Sequence, residues 1–139
     1  MQARAAGIAI ARLQGGFDAV LFSPKVRARE TAELAAEDWA PEQRERLTVH
    51  PPLAGGFDAT QALDAMAGVG ADGRLLLVGH EPDLSRVIGQ LTGGRVDMKK
   101  GGVAVVRLEG AAGELVVLMR PRELALIAGG VGGDPIHGD

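Results

Sequence analysis

The chain has 139 residues, 46% of them hydrophobic, which is enough to bury the core of one domain and short for two. Its formal charge of −3 argues against broad electrostatic attraction to nucleic acid or an anionic membrane, and the lack of cysteine excludes disulfides, thiol catalysis and thiolate metal sites. No apolar run reaches bilayer-spanning length, and the arginines within residues 1–16 do not suit a secretory signal, so a cytoplasmic protein is expected.

In chain order, residues 3–13 carry Ile8, Ile10 and Leu13 at helical spacing and stop at Gly15 and Gly16, as an amphipathic helix with a glycine end would. Residues 18–24, "DAVLFSP", read as a short buried strand ending at a proline. Residues 25–39 read as a helix with Pro24 in its first turn and Val26, Ala32 and Leu34 as apolar contacts. A brief strand and a loop follow in "LTVHPPLAGG". Residues 58–69 then return to helical spacing through Leu63, Met66 and Val69, with Asp58 or Thr60 as cap. The run "RLLLVGH" ending at His80 suits a strand buried on both faces of a sheet, and "PDLSRVIGQLTGG" continues as a helix opened by Pro82. Two β-rich runs, "GVAVVRLEG" and "GELVVLMRP", are separated by "GAAG" as in a hairpin, and "RELALIAGG" is helical. The alternation predicts one α/β domain over residues 1–128, three layers with a mainly parallel sheet, and a flexible Gly-rich tail over 129–139.

Ligands of such sheets bind beyond the carboxyl ends of the strands. Two segments would meet there: "SPKVRARETA", with Arg27 about a turn into its helix, and "GHEPD", with His80 at a strand end. Both precede a helix, whose free N–H groups and positive dipole end suit an anion. Arg27, His80 and the backbone N–H of Glu81 are therefore candidates for a phosphate pocket, in which an arginine fork would be joined by a histidine donor. The ordinary alternatives stand beside this. A histidine at a strand end is more often structural than functional, and Arg27 shares its segment with Lys25, Arg29, Glu30 and Glu33, as on a solvated helix face. Lys99 and Lys100 are read as solvated loop residues outside the site.

Other chemistries have less support. "HEPD" has leucine at position 84 where a zinc helix needs its second histidine, so no metal is expected. The glycine pairs lack the lysine and spacing of a phosphate-binding loop or a dinucleotide fingerprint. Ser23 lacks the glycines of a nucleophile elbow. No cofactor is implied.

Taken together, "SPKVRARETA" and "LLLVGHEPDLSRVIG" resemble the two conserved-pattern blocks of the histidine phosphatase superfamily, in its SixA-like phosphohistidine phosphatase branch. "QARAAGIAIARL" is similar to the end of that family's first helix, and "KKGGVAVVRLEG" with "GELVVLMRPREL" to the branch's closing hairpin and helix. The resemblance covers nearly the whole chain. It implies a phosphoglycerate-mutase-like fold in which Arg27 clamps phosphoryl oxygens and His80 donates to the charge developing on them.

The resemblance also implies an Arg-His-Gly motif ending a first strand, whose histidine attacks phosphorus. No such motif occurs in the chain; its one His-Gly pair, His137 and Gly138, lacks both the arginine and a preceding apolar strand. The expectation is a chain lacking that strand at its amino end, which the resemblance would place in the sheet interior, between the strands carrying the two blocks. A noncatalytic family member is the other possibility. The loop where larger relatives carry an acid for the leaving group matches "PPLAGGFD", with Gly55 near the acid's place and Asp58 and Glu81 nearby. A missing acid suits phosphohistidine better than a sugar phosphate. Two functions stay open: a phosphatase acting on phosphohistidine in a protein or on a small phosphoester, and a module that binds phosphate or a phosphoprotein without turnover. No nucleic acid or membrane partner is expected, and oligomeric state is left open.

Overall fold

The computed structural model describes residues 2–14, 16–70, 72–98, 103–109, 112–119 and 121–129. The tail over 130–139, with His137, and the pair Lys99 and Lys100 lie outside the described residues.

Helix α1 (Gln2–Gln14) leads into strand β1 (Ala19–Phe22), helix α2 (Val26–Ala35), a single turn α3 (Pro41–Arg44) and strand β2 (Leu47–Val49). A 3-10 turn at Pro51–Ala54 precedes α4 (Ala59–Val69), β3 (Leu75–Val78) and α5 (Asp83–Thr92). The described chain closes with β4 (Val103–Glu109), β5 (Ala112–Met119) and α6 (Pro121–Gly129). Strands β2, β1 and β3 form a parallel sheet in that order, and β4 pairs antiparallel with β5 as a separate hairpin.

Alternation along the strands divides the core into two layers. On one face Val20 of β1 packs with Ile10 of α1, Phe17, Ala36 and Trp39, and Leu76 of β3 lies against them. On the other face Leu21 and Leu77, the next residues along, pack against Leu53, Phe57, Ala62 of α4 and Val87 of α5. Consecutive apolar residues in β1 and β3 are thereby used in opposite directions, and helices cover both faces. The α/β/α layering is as expected.

Several local expectations are corrected. Helix α2 begins at Val26 with Lys25 as its N-cap, so Pro24 stands outside the first turn, and the helix ends at Ala35, short of Trp39. Its buried face is Ala28, Ala32 and Ala35, whereas Val26 and Leu34 are 69% and 42% exposed. Small side chains win that face because α1 crosses very close: a Cβ on Gly7 would lie 1.7 Å from the carbonyl oxygen of Ala35. At the same crossing the Trp39 indole donates to the Gly7 carbonyl at 3.0 Å. For α4, Asp58 is the cap, accepting from the Gln61 N–H at 2.9 Å while the Gln61 side chain accepts from the Asp58 N–H at 3.1 Å.

Two further corrections concern the sheet. Leu75–Val78 are only half-buried, because among the described residues β3 has a strand partner on one edge only. No strand lies between β1 and β3. They pair directly, with Ala19 opposite Leu75 and Phe22 opposite Val78, and adjacent strands at ~4.8 Å leave no room for another.

Candidate functional site

Direct pairing of β1 and β3 brings the two sequence blocks together at the carboxyl end of the sheet. The ladder runs one residue beyond the strand end, where the Ser23 N–H donates to the Val78 carbonyl at 3.0 Å. Gly79 carries the chain onward from β3 through a narrow space, since a Cβ there would meet Leu53 Cδ2 at 3.3 Å. His80 follows, and its carbonyl accepts from the Leu84 N–H at 3.1 Å in the first turn of α5. The His80 ring reaches back across the two strand ends, placing Nε2 2.9 Å from Ser23 Oγ.

Ser23 is fully buried, the one polar residue in that class among the described residues. Its hydroxyl also accepts from the Lys25 N–H at 3.2 Å, which ties the turn between β1 and α2 to the same atom. Both the strand ladder and the helix start therefore hold Ser23 where it meets His80.

Arg27 is the second residue of α2, and its side chain is exposed. Neither an ion pair nor a hydrogen bond engages its guanidinium among the described residues. It stands four positions beyond Ser23, on the helix that starts at the same sheet end. Direct contact between Arg27 and His80 is not part of the structure; Ser23 is the residue that links their segments. Glu81 is exposed, and its carboxylate accepts from the Ser85 hydroxyl one turn into α5.

The carboxylates near the loop at Gly55 hold helix starts. Asp58 is occupied by its capping box, and Asp83 accepts from the Phe57 N–H at 3.3 Å and from Arg86 at 2.6 Å. The backbone of Gly55 is extended, with nothing within 4 Å of where a side chain would stand. Among the described residues no group of three or more histidines, aspartates or glutamates is placed to hold a metal ion. No helix there is long and apolar enough to cross a membrane.

Sequence reasoning missed two residues. Local sequence offers Ser23 only as a nucleophile, whereas its partner, His80, is 57 positions away. His50 ends β2 as His80 ends β3: its N–H donates to the Phe22 carbonyl at 2.8 Å and its ring stands edge-on to Phe57 at 6.2 Å. A histidine closing a short strand was the available signal for His50, but only the strand order sets it beside β1.

No family model matches the chain. An uncharacterised protein of Picosynechococcus sp. (strain PCC 7002) is 35% identical over 127 residues, spanning 78% of this chain and 71% of that protein. Among solved structures, the protein histidine phosphatase SixA complexed with tungstate superposes with a TM-score of 0.74 at 21% identity, covering 88% of this chain and 80% of that one. A protein assigned as SixA from Agrobacterium tumefaciens gives 0.67 at 16% identity, covering 86% and 78%. One assigned as an alpha-ribazole-5'-P phosphatase from Escherichia coli gives 0.65 at 17% identity, covering 86% and 82%. The chain thus belongs to one family with the Picosynechococcus protein, and its fold is the phosphoglycerate-mutase-like fold of the histidine phosphatase superfamily.

Proposed function

We propose that residues 1–128 form a phosphoryl-binding domain of the histidine phosphatase type, with Arg27 and His80 as its phosphate ligands and the Glu81 N–H as a further donor. The observation that carries this reading is the juxtaposition of Ser23 and His80 at the carboxyl ends of adjacent parallel strands, at 2.9 Å, with Arg27 uncommitted on the helix beginning there. A neighbouring fold binds tungstate, a tetrahedral oxyanion like phosphate, which supports the ligand class.

Hydrolysis needs a nucleophile as well. With a strand ending in Arg-His-Gly supplied, its histidine would attack phosphorus in line as the bond to the leaving group breaks. Arg27 and the added arginine would hold the equatorial oxygens while His80 donates to them. Water would then cleave the phosphohistidine to release phosphate. Gly55 offers no acid, and Asp58 and Glu81 are engaged in local hydrogen bonds. These features favour a leaving group that departs without an acid on the protein, such as the imidazole of a phosphohistidine protein protonated at its far nitrogen.

The second reading, phosphate binding without turnover, is favoured by the lack of an Arg-His-Gly motif in the 139 residues. One set of measurements decides between them: phosphate binding by calorimetry, and phosphohistidine hydrolysis with and without an added amino-terminal Arg-His-Gly strand, each with and without His80→Ala. We expect Arg27→Ala and His80→Ala each to weaken phosphate binding by about tenfold, the effect of losing a hydrogen bond to a charged group. Turnover should appear only in the extended chain with His80 intact. Equal phosphate affinity in all variants would remove the site, and turnover that ignores His80 would remove its role.

A further inference from the structure

We propose that Ser23 is a positioning residue that holds neutral His80 in the tautomer with its proton on Nδ1, so that the ring presents a donor to a phosphoryl oxygen. The inference rests on the phosphate-binding reading of His80 for its purpose, but its structural content is independent of it.

A hydroxyl has one proton to donate and two lone pairs to accept with. At Ser23 Oγ one lone pair is taken by the Lys25 N–H at 3.2 Å. The group is fully buried, so water does not receive its proton, and the one acceptor in reach among the described residues is Nε2 of His80 at 2.9 Å. A buried hydroxyl proton left without an acceptor is costly. The serine O–H therefore donates to Nε2. An imidazole that accepts at Nε2 and is neutral carries its hydrogen on Nδ1. Nδ1 has no hydrogen-bond partner among the described residues, so this N–H is left for a ligand.

The arrangement is rigid at both ends. Ser23 is held by the Val78 carbonyl and the start of α2, and His80 by the first turn of α5. Without the serine, a neutral ring is free to move its hydrogen to Nε2, the tautomer free histidine prefers in water, and Nδ1 would then meet a phosphoryl oxygen lone pair to lone pair. The protonated ring donates from both nitrogens and is indifferent to this control.

The test is nitrogen-15 NMR of the histidine rings in the full chain, without phosphate, at a pH where the spectrum itself shows a neutral ring. The expected result is a protonated Nδ1 and an accepting Nε2 at His80. In Ser23→Ala the ring should shift toward the Nε2-protonated form with the backbone spectrum otherwise preserved, and phosphate affinity should fall roughly tenfold at that pH. A wild-type ring protonated at Nε2, or a tautomer unchanged in Ser23→Ala, overturns the proposal. So does a tautomer switch that leaves phosphate affinity untouched. If the tautomer behaves as expected but no form of the protein binds phosphate, the hydrogen bond is upheld and the phosphate reading of the site fails by itself.

Discussion

Gly7 shows how one residue sets a helix contact. Helix α1 carries Ile10 into the core at one point and a bare glycine against α2 at another, where the Ala35 carbonyl would stand 1.7 Å from a side chain. The Trp39 indole then closes the crossing by donating to the Gly7 carbonyl. Gly7→Ala raises helix propensity yet forces α1 away from α2. We expect a net loss of about 2–3 kcal/mol, the usual scale of overpacking, read as a fall in the midpoint of denaturant unfolding. A neutral or stabilising result would mean that the helices separate without cost. Ser23 and His80 belong to this scale as well: each was legible in the sequence as a residue at a strand end, but not as a pair, because their hydrogen bond depends on a β1–β3 register that neither segment encodes alone.

Among the elements, α4 and β3 differ in how far local sequence specifies them. The start of α4 is written in "DATQ", where Asp58 and Gln61 exchange hydrogen bonds with each other's backbone, so the sequence narrowed the cap to Asp58 or Thr60 and the structure selects Asp58. Asp58→Ala should cost about 1 kcal/mol of stability and leave phosphate binding unchanged, as expected of a carboxylate that caps a helix outside the phosphate pocket. Loss of phosphate binding would instead place Asp58 in the site. For β3 the apolar run correctly indicated a strand covered on both faces, but its residues are only half-buried because among the described residues one edge has no strand partner. Four apolar residues in a row say that both faces of a strand meet protein; they do not say that both edges do. Helix α2 failed in a related way, since Val26 and Leu34 look like a core face until the nearness of α1 restricts that face to alanines.

At the scale of the whole molecule, the parallel sheet has an open edge among the described residues. The order β2, β1, β3 leaves β3 with one strand partner among the described residues, while β4 and β5 pair with each other. Amide exchange should reflect this. In the 139-residue chain, the β3 amides directed away from β1 are expected to exchange much faster than those of β1. An added amino-terminal apolar strand that pairs with β3 should slow them and raise the melting temperature by about 3 °C for each kcal/mol gained. Slow exchange of those amides in the chain alone would show that this edge is already covered.

Composition, apolar periodicity and turn residues by themselves determined the α/β class of the fold, where most helices and strands fall, and that His80 and Arg27 precede or open helices at strand ends. These are properties of short segments, set by backbone geometry and by which side chains must leave water. Only the tertiary structure decided the strand order, the direct pairing of β1 with β3, the close α1–α2 crossing and the Ser23–His80 hydrogen bond. Each of those joins residues far apart in the chain, and hydrophobic burial, which has no direction, specifies that they pack but not which of them touch.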